Sequence, residues 1–427
     1  MLEPSPPPQH VLQSWQEALG LVRSRSVPYR TALAQIDLAR AKSREALAAS
    51  LPTLQSTAFN TFARYEILHG TVPNPTVQNP AQTRDVPDPN PIFGAGLTLN
   101  VPIFAPKAWY DRGTANRAVD YATISSKEAQ RLVIASIADT IVGAVTAERL
   151  ADVTRESLSA ALSTLDLNRR RAALGASSSL DVLRAEQEVQ LSRAQVVTAN
   201  ETLLRSRESL GLALGFSEGW GVNAEVRLDA LGADARKTCR QEGDVSKRSD
   251  VRAAAANVAL AERQKGSVDW AFWPTLNGTS VLQATTAPPR YTTNGENVSW
   301  TVGATLVWTL YDGGFRYGLK DEAAANTRIA REQLSDTRRR AELQVTQAFR
   351  SVNVAETNLA VSSKGRDIAA ETARLARVAF INGSGTSFDL VDTASKLRQA
   401  EIDLTVKQFD LLRAKVAALL ALASCDI

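Results

Sequence analysis

Histidine, methionine and cysteine are nearly absent from this chain, whose 427 residues include two histidines, one methionine and two cysteines. His10, His69, Cys239 and Cys425 assemble neither a Ser/His/Asp nor a Cys/His set, nor the four ligands of a zinc site, so no catalysis, metal or cofactor is expected. Two cysteines are compatible with an oxidising compartment without demonstrating one. No run of about 18 apolar residues occurs, and on that ground a conventional transmembrane helix is not expected and is taken as excluded. It leaves open a membrane barrel, whose strands are short and alternate. An apolar leader is also missing, since Met1-Leu2-Glu3 runs straight into Pro4-Ser5-Pro6-Pro7-Pro8; the expectation is a mature form or a chain that stays in the cytoplasm. The charge is nearly balanced, with 49 basic against 45 acidic residues and a net +4, which makes no case for nucleic acid.

Aromatics are scarce at 6%, and Ala, Ser, Leu, Arg and Glu dominate most of what remains. That usage suits long helices packed through small side chains. Val11 to Ser50 reads as helix, broken or bent near Pro28 and ended by Pro52. Glu66 to Pro91 holds six prolines and reads as a long exposed loop. From Lys107 to Ala173 apolar residues fall at helical spacing, as in Ile134, Ile137, Ile141 and Val145. At 1.5 Å per residue such a helix is on the order of 100 Å long. A second helix runs from Ser179 to about Leu214, after which 217–247 reads as an irregular waist. Arg169-Arg170-Arg171 and Arg338-Arg339-Arg340 read as solvated helix faces. Gly94-Ala95-Gly96 continues into a strand rather than a helix, so it is no dinucleotide loop.

The order then repeats. Pro274-Thr275-Leu276 matches Pro52-Thr53-Leu54 at an offset of 222, and Thr305-Leu306 matches Thr98-Leu99 at 207. The first repeat is 1–216 and the second 248–427, with strands at about 53–65, 93–104, 274–286 and 298–311. Along 93–104, Phe93, Ala95, Leu97, Leu99, Val101 and Ile103 alternate with small or polar residues. In the second repeat the odd offset moves the apolar face to even numbers, at Trp300, Val302, Ala304, Leu306, Trp308 and Leu310. Four strands cannot close a barrel, whereas three copies would supply twelve, with the Thr, Gly and Asn faces lining a lumen. Trp300, Trp308, Tyr311 and Phe104 suit girdle positions. A soluble sandwich that packs its apolar faces inward fits the strand pattern equally well, but helices of this length cannot wrap one.

The most specific stretch runs from Arg171 to Ala185 and returns, weakened, 208 residues later: Gly175 and Asp181 in the first copy, Gly383 and Asp389 in the second. Each is a helical hairpin tip, at about 174–179 and 382–387. The glycine supplies a left-handed helix end, and Ser178 or Thr386 caps the next helix with the Asp at its third position.

This duplicated helix-strand-strand-helix-helix order resembles the TolC-like outer membrane factor family over nearly the whole chain. Arg171, Leu174, Gly175, Ser178, Val182 and Ala185 reproduce its R-x-x-L-G-x-x-S-x-x-x-V-x-x-A tip pattern. The second tip keeps Gly383 but carries Asn382, Thr386, Leu390 and Thr393 at other comparable places. The resemblance implies a mixed α and β fold of mainly long α-helices, forming a trimeric 12-stranded outer membrane β-barrel continued by an α-helical barrel in the periplasm. It implies an exit duct for a tripartite efflux pump or type I secretion system. Its partners would be a periplasmic membrane-fusion adaptor docking at the first tip, an inner membrane transporter acting indirectly, and outer membrane lipid. Asp389 and Asp392 map onto paired aspartates ringing the periplasmic entrance. Residues three apart share a helix face, and repeated around an axis they would attract cations. Asp389 also reads as ordinary capping, while Asp392, whose first-repeat counterpart is Arg184, has no such role. Phe380 and Gly385 stand where the family pattern has a tyrosine and an arginine, and Phe380 cannot donate a hydrogen bond to Asp181. Cys239 in the waist and Cys425 at the end of the last helix are expected at one level, where they either pair as a disulfide or stay as two thiols. The rival reading is a soluble coiled-coil scaffold with a β insert and no pore.

Overall fold

The computed structural model describes residues 3, 6–63, 67–69, 83–85, 90–175, 177–223, 239–241, 244–286 and 298–425, without the side chains of 63, 67–69, 83–85, 90–91, 239–241 and 423–425. In chain order the first elements are β1 (His10–Leu12), α1 (Trp15–Arg25), α2 (Val27–Ala48), β2 (Thr53–Ala63), β3 (Ile67–His69), β4 (Thr83–Asp85) and β5 (Asn90–Phe104). Next come α3 (Pro106–Ala173), α4 (Ser179–Leu214), β6 (Trp220–Val222) and β7 (Cys239–Gln241). The remainder is α5 (Ser249–Asp269), β8 (Thr275–Thr285), β9 (Val298–Val307), α6 (Phe315–Ile381), α7 (Ser387–Ala421) and β10 (Ala423–Cys425). Contacts divide the chain into two compact units, one of Met1–Leu38, Val119–Val258 and Ile329–Ile427, the other of Ala39–Ala118 and Ala259–Arg328.

The second unit holds a four-stranded antiparallel sheet in the order β2-β5-β8-β9. Its register sorts the side chains into two faces. Leu54, Leu99, Ser280 and Val302 lie in one row across the sheet, followed by Ser56, Leu97, Leu282 and Trp300, so this face is largely apolar. The opposite face carries Gln55, Thr98, Val281 and Thr301, then Thr57, Gly96, Gln283 and Ser299. Phe59 is a bulky exception on that face, and it covers Gly94 so closely that an added Cβ would lie 2.3 Å from its ring. Pro102 stands inside the central strand β5 because the β5–β8 register shifts just there, between Pro102 and Phe104. A bulge accommodates a residue that cannot donate to the ladder. Trp300, Val302 and Leu306 are all exposed along β9.

The other unit is helical. Its main core gathers Leu12, Trp15, Leu210 and Leu214 around Ile134, Ile137 and Ile141, the spacing that marks the buried stripe of α3. Several expectations need correction. Helix begins at Trp15 rather than Val11, because the Ser14 hydroxyl accepts from Glu17 N at 3.1 Å and the Glu17 carboxylate accepts from Gln13 N at 2.7 Å. The preceding residues form β1, which pairs in parallel with β6, so the stretch 217–247 is not wholly irregular. Within the proline-rich segment β3 and β4 pair, while its other residues before Asn90 lie outside the described ones. α3 also contains a window of 18 residues apolar enough to cross a membrane by length and composition alone. The helix breaks near Pro28 as expected, with Ser26 between α1 and α2. β7 and β10 pair antiparallel with Cys239 opposite Cys425 in the register.

Candidate functional site

Both tips lie in the helical unit. The first joins α3 to α4 and the second joins α6 to α7. Gly175 and Gly383 have φ of 74° and 80°, the left-handed region that ends the helix before each turn. At the first tip the Ser178 hydroxyl accepts from Asp181 N at 3.2 Å, and the Asp181 carboxylate accepts from Ser178 N at 3.1 Å and from the Ser178 hydroxyl at 2.7 Å. Both halves of a capping box are present. These bonds, chiefly from Ser178, with help from Ser177 and the Arg184 charge, hold the Asp181 carboxyl below its ordinary range. At the second tip Thr386 accepts from Asp389 N at 3.1 Å and donates back to the Asp389 carboxylate at 2.6 Å. Only the Thr386 half of a box is formed there.

The motif residues separate by exposure. Leu174 is 83% exposed, and Gly175 and Ser178 are exposed beside it. Val182 and Ala185 point the other way: Ala185 is only 1% exposed, in a core with Leu158, Leu165, Val189 and Val196, and Val182 packs against it. Of the second-tip residues, Asn382, Gly383 and Asp389 are exposed, Leu390 is buried, and Thr393 donates to Asp389 O at 2.6 Å. Asp392 is paired, with Lys396 Nζ at 2.8 Å one helical turn on.

Among the three arginines of 169–171, Arg169 and Arg170 are exposed, but Arg171 is not a solvated residue. Its Nη1 donates to Phe380 O at 2.6 Å, and its guanidinium lies 4.1 Å from the centroid of the Phe380 ring, which is 4% exposed. A cation over an aromatic face contributes about 0.5–2 kcal/mol depending on how dry it is. Phe380 therefore meets Arg171 rather than Asp181. A looser second pair, Arg184 over Phe388 at 5.4 Å, repeats the chemistry. Gly385 has no room for a side chain, since a Cβ there would lie 2.8 Å from Phe380 N.

Three further links were not foreseen from sequence. The buried Ser387 hydroxyl donates to Asn168 Oδ1 at 2.6 Å. Arg398, also buried, is ion-paired with Glu188. Arg184 and Phe388 complete the set. Their signal lay in the failure of the repeat: 208 residues away, Asn168 faces Ala376, Glu188 faces Lys396, Arg398 faces Gln190 and Phe388 faces Leu180.

Solved structures with this fold include outer membrane proteins. The chain matches VceC of Vibrio cholerae, an outer membrane protein, with TM-score 0.76 and 17% identity over 95% of each chain. It matches the CmeC outer membrane channel of Campylobacter jejuni with TM-score 0.77 and 14% identity, over 95% of this chain and 85% of that one. In sequence it is 24% identical to Nodulation protein T of Rhizobium leguminosarum bv. trifolii over 310 residues, 71% of this chain and 65% of that protein. It is 26% identical to the fusaric acid resistance protein FusA of Burkholderia cepacia over 239 residues, 54% of this chain and 45% of that protein. The chain thus spans less than two thirds of the length of either curated relative. The model of the family described as outer membrane efflux protein matches residues 19–216 and 245–423; the chain belongs to that family, a family of transport proteins rather than enzymes, and its place is the bacterial outer membrane.

Proposed function

We propose that three copies of this chain close into a twelve-stranded barrel continued by a helical tunnel, the exit duct of a tripartite export system. The observation that carries this reading is the sheet, with one apolar and one polar face and an edge at β2 and another at β9, each paired on one side only among the described residues. Four alternating strands leave β2 and β9 antiparallel to each other. Copies inserted with the same sidedness therefore join β9 of one to β2 of the next without breaking the alternation. The apolar face then meets lipid and the Thr, Gln and Asn face lines the duct. Fusaric acid resistance in one relative favours small organic molecules over proteins as cargo.

In this reading the exposed Leu174, Gly175 and Ser178 receive a periplasmic adaptor, and Val182 and Ala185 shape the tip from inside. Asp389 and Asp392, three times over, ring the entrance and attract cations. An exposed pair such as Lys396–Asp392 contributes only about 0–1 kcal/mol, so a multivalent cation displaces the lysine. Purified protein in a planar bilayer tests the whole. Steady conductance is expected, and replacing Asp389 and Asp392 by Ala weakens its block by a trivalent cation, while Lys396→Ala strengthens it. A soluble monomer that never conducts would return the chain to the scaffold reading.

The facing positions of Cys239 and Cys425 support a disulfide between β7 and β10. Opposed residues of an antiparallel pair stand about 4.5–5.5 Å apart at Cα, within the span of a disulfide. Thiol titration of the unfolded, unreduced protein is expected to find none free; two per chain would end the idea.

A further inference from the structure

Between the end of β9 and the start of α6 the β unit holds a pocket of about 400 Å³, with Phe272, Trp308, Tyr311, Asp312, Arg316 and Tyr317 in its walls. We propose that this pocket takes the zwitterionic headgroup of a phospholipid, a phosphate beside a primary ammonium. This rests on the reading of the sheet as a membrane barrel. The pocket follows directly on Trp300, Val302 and Leu306, the exposed apolar row of β9, so acyl chains laid along that row bring their headgroup to its mouth. Trp109, Trp270, Trp273 and Trp308, four of the seven tryptophans, all fall where strands and helices of this unit join. Rings with one polar end collect at the level of lipid headgroups.

The Asp312 carboxylate accepts from Gly314 N and from Arg316 N, both at 3.2 Å, and so caps α6. Arg316 Nε donates to the same carboxylate at 2.6 Å. Capping accounts for two opposite charges side by side, but not for the rings around them. The guanidinium lies 4.8 Å from the centroid of the Phe272 ring, which meets the Tyr317 ring edge-on at 5.4 Å between centroids. Trp308 Nε1 donates to Phe272 O at 3.2 Å and so belongs to the same wall. Gly313 and Gly314, at φ of 69° and 89°, turn the chain between the two tyrosines so that both line one pocket. Tyr311 and Tyr317 are 86% and 67% exposed. Among the described residues no protein group holds their hydroxyls or Arg316 Nη2, and these are the donors a phosphate needs. A paired cation and anion carry no net charge, so they favour a ligand bearing both signs over one bearing only the negative. The phosphate meets the guanidinium and the phenols, and the ammonium meets the Asp312 carboxylate and the ring faces.

The test uses detergent-purified, full-length protein and native mass spectrometry with added phosphatidylethanolamine, phosphatidylglycerol or diacylglycerol. Phosphatidylethanolamine is expected to be retained about fivefold more than either of the others, and Tyr311→Leu together with Tyr317→Leu to lower its retention about fivefold. Arg316→Lys, which keeps the charge but not the flat face over Phe272, is expected to lower it by less. It is read in place of the tyrosine variant should that one fail to assemble. Equal retention of the three lipids overturns the site, because an unselective lipid coat needs only the apolar face. A preference that survives the substitutions overturns it too. β9 is an edge strand, so the next copy borders the pocket; a neighbour that fills it shows as no retained lipid and has the same consequence. Displacement of the phospholipid by an equal concentration of glycerophosphoethanolamine, which has no acyl chains, overturns the lipid as occupant. Planar-bilayer conductance of the same preparation reads the channel separately. A conducting protein without lipid preference loses the site alone, and one that retains lipid selectively but never conducts loses the channel and keeps the site.

Discussion

The two hairpin tips share one turn design, and they differ in a consistent direction. Both keep the backbone device, a left-handed glycine followed by a hydroxyl cap and an Asp. The first adds a complete capping box and two arginines aimed outward at its neighbour, Arg171 and Arg184. The second carries the receiving aromatics, Phe380 and Phe388, with a half-formed box. These differences make the tips complementary. A symmetric pair of hairpins would place Ala379 against Ala172, with nothing polar to fix them. Turn formation is the shared property, and mutual recognition is the acquired one.

The sharpest way to break this comparison is to remove one partner of an acquired pair. Glu188→Ala leaves the buried guanidinium of Arg398 uncompensated and is expected to cost about 3–5 kcal/mol. Glu186→Ala, which loses only an exposed contact with Arg169 at 3.8 Å, should stay within about 1 kcal/mol. Equal small losses in thermal unfolding would mean that the two hairpins are not held by this pair.

The shared property is tested by treating both glycines alike. Gly175→Val and Gly383→Val force a branched side chain into the left-handed region, while an added Cβ meets nothing within 4 Å at either site. Each is expected to cost about 1–2 kcal/mol from backbone strain alone, and the two losses should agree. A marked inequality, read by local hydrogen exchange, would show that even the turns have parted.

The smallest expected effect concerns acid. The folded pKa of Asp181 is lowered, so its contribution is fully present above the unfolded value of about 3.9 and is lost as pH falls through the folded value. Exchange at the first tip should therefore differ between wild type and Asp181→Ala by about 1 kcal/mol near pH 6. That gap should close on acidification below pH 4. A gap that persists at pH 2 would assign the effect to packing rather than to the carboxylate.

Much of the architecture was legible because period and offset are robust signals. The odd offset between strand pairs requires the apolar face to change parity, and the observed register sets Leu97 and Leu99 in rows with Leu282 and Ser280 and so with Trp300 and Val302. The glycine-to-Asp turns were equally plain. What sequence did not yield were contacts between segments about 200 residues apart. Arg171 sits in a run of three arginines that looks solvated, and nothing local says that Phe380 lies beneath the third. The short pairings β1–β6 and β7–β10 escaped for the same reason: three residues are too few to show a period. Val182 and Ala185 matched a surface motif, but a small apolar residue one turn inside a hairpin is where packing between helices is tightest.

The two open sheet edges have a further consequence in time. Among the described residues, a chain that has folded its four strands still presents two rows of unpaired backbone groups, at β2 and at β9. In the proposed trimer a strand of another copy completes them with the alternation intact. Folding of the β unit in the proposed trimer is second order or higher in protein, and its stability has no value independent of concentration. If three copies close the barrel as proposed, dilution acts on this chain as a denaturant does on a monomer.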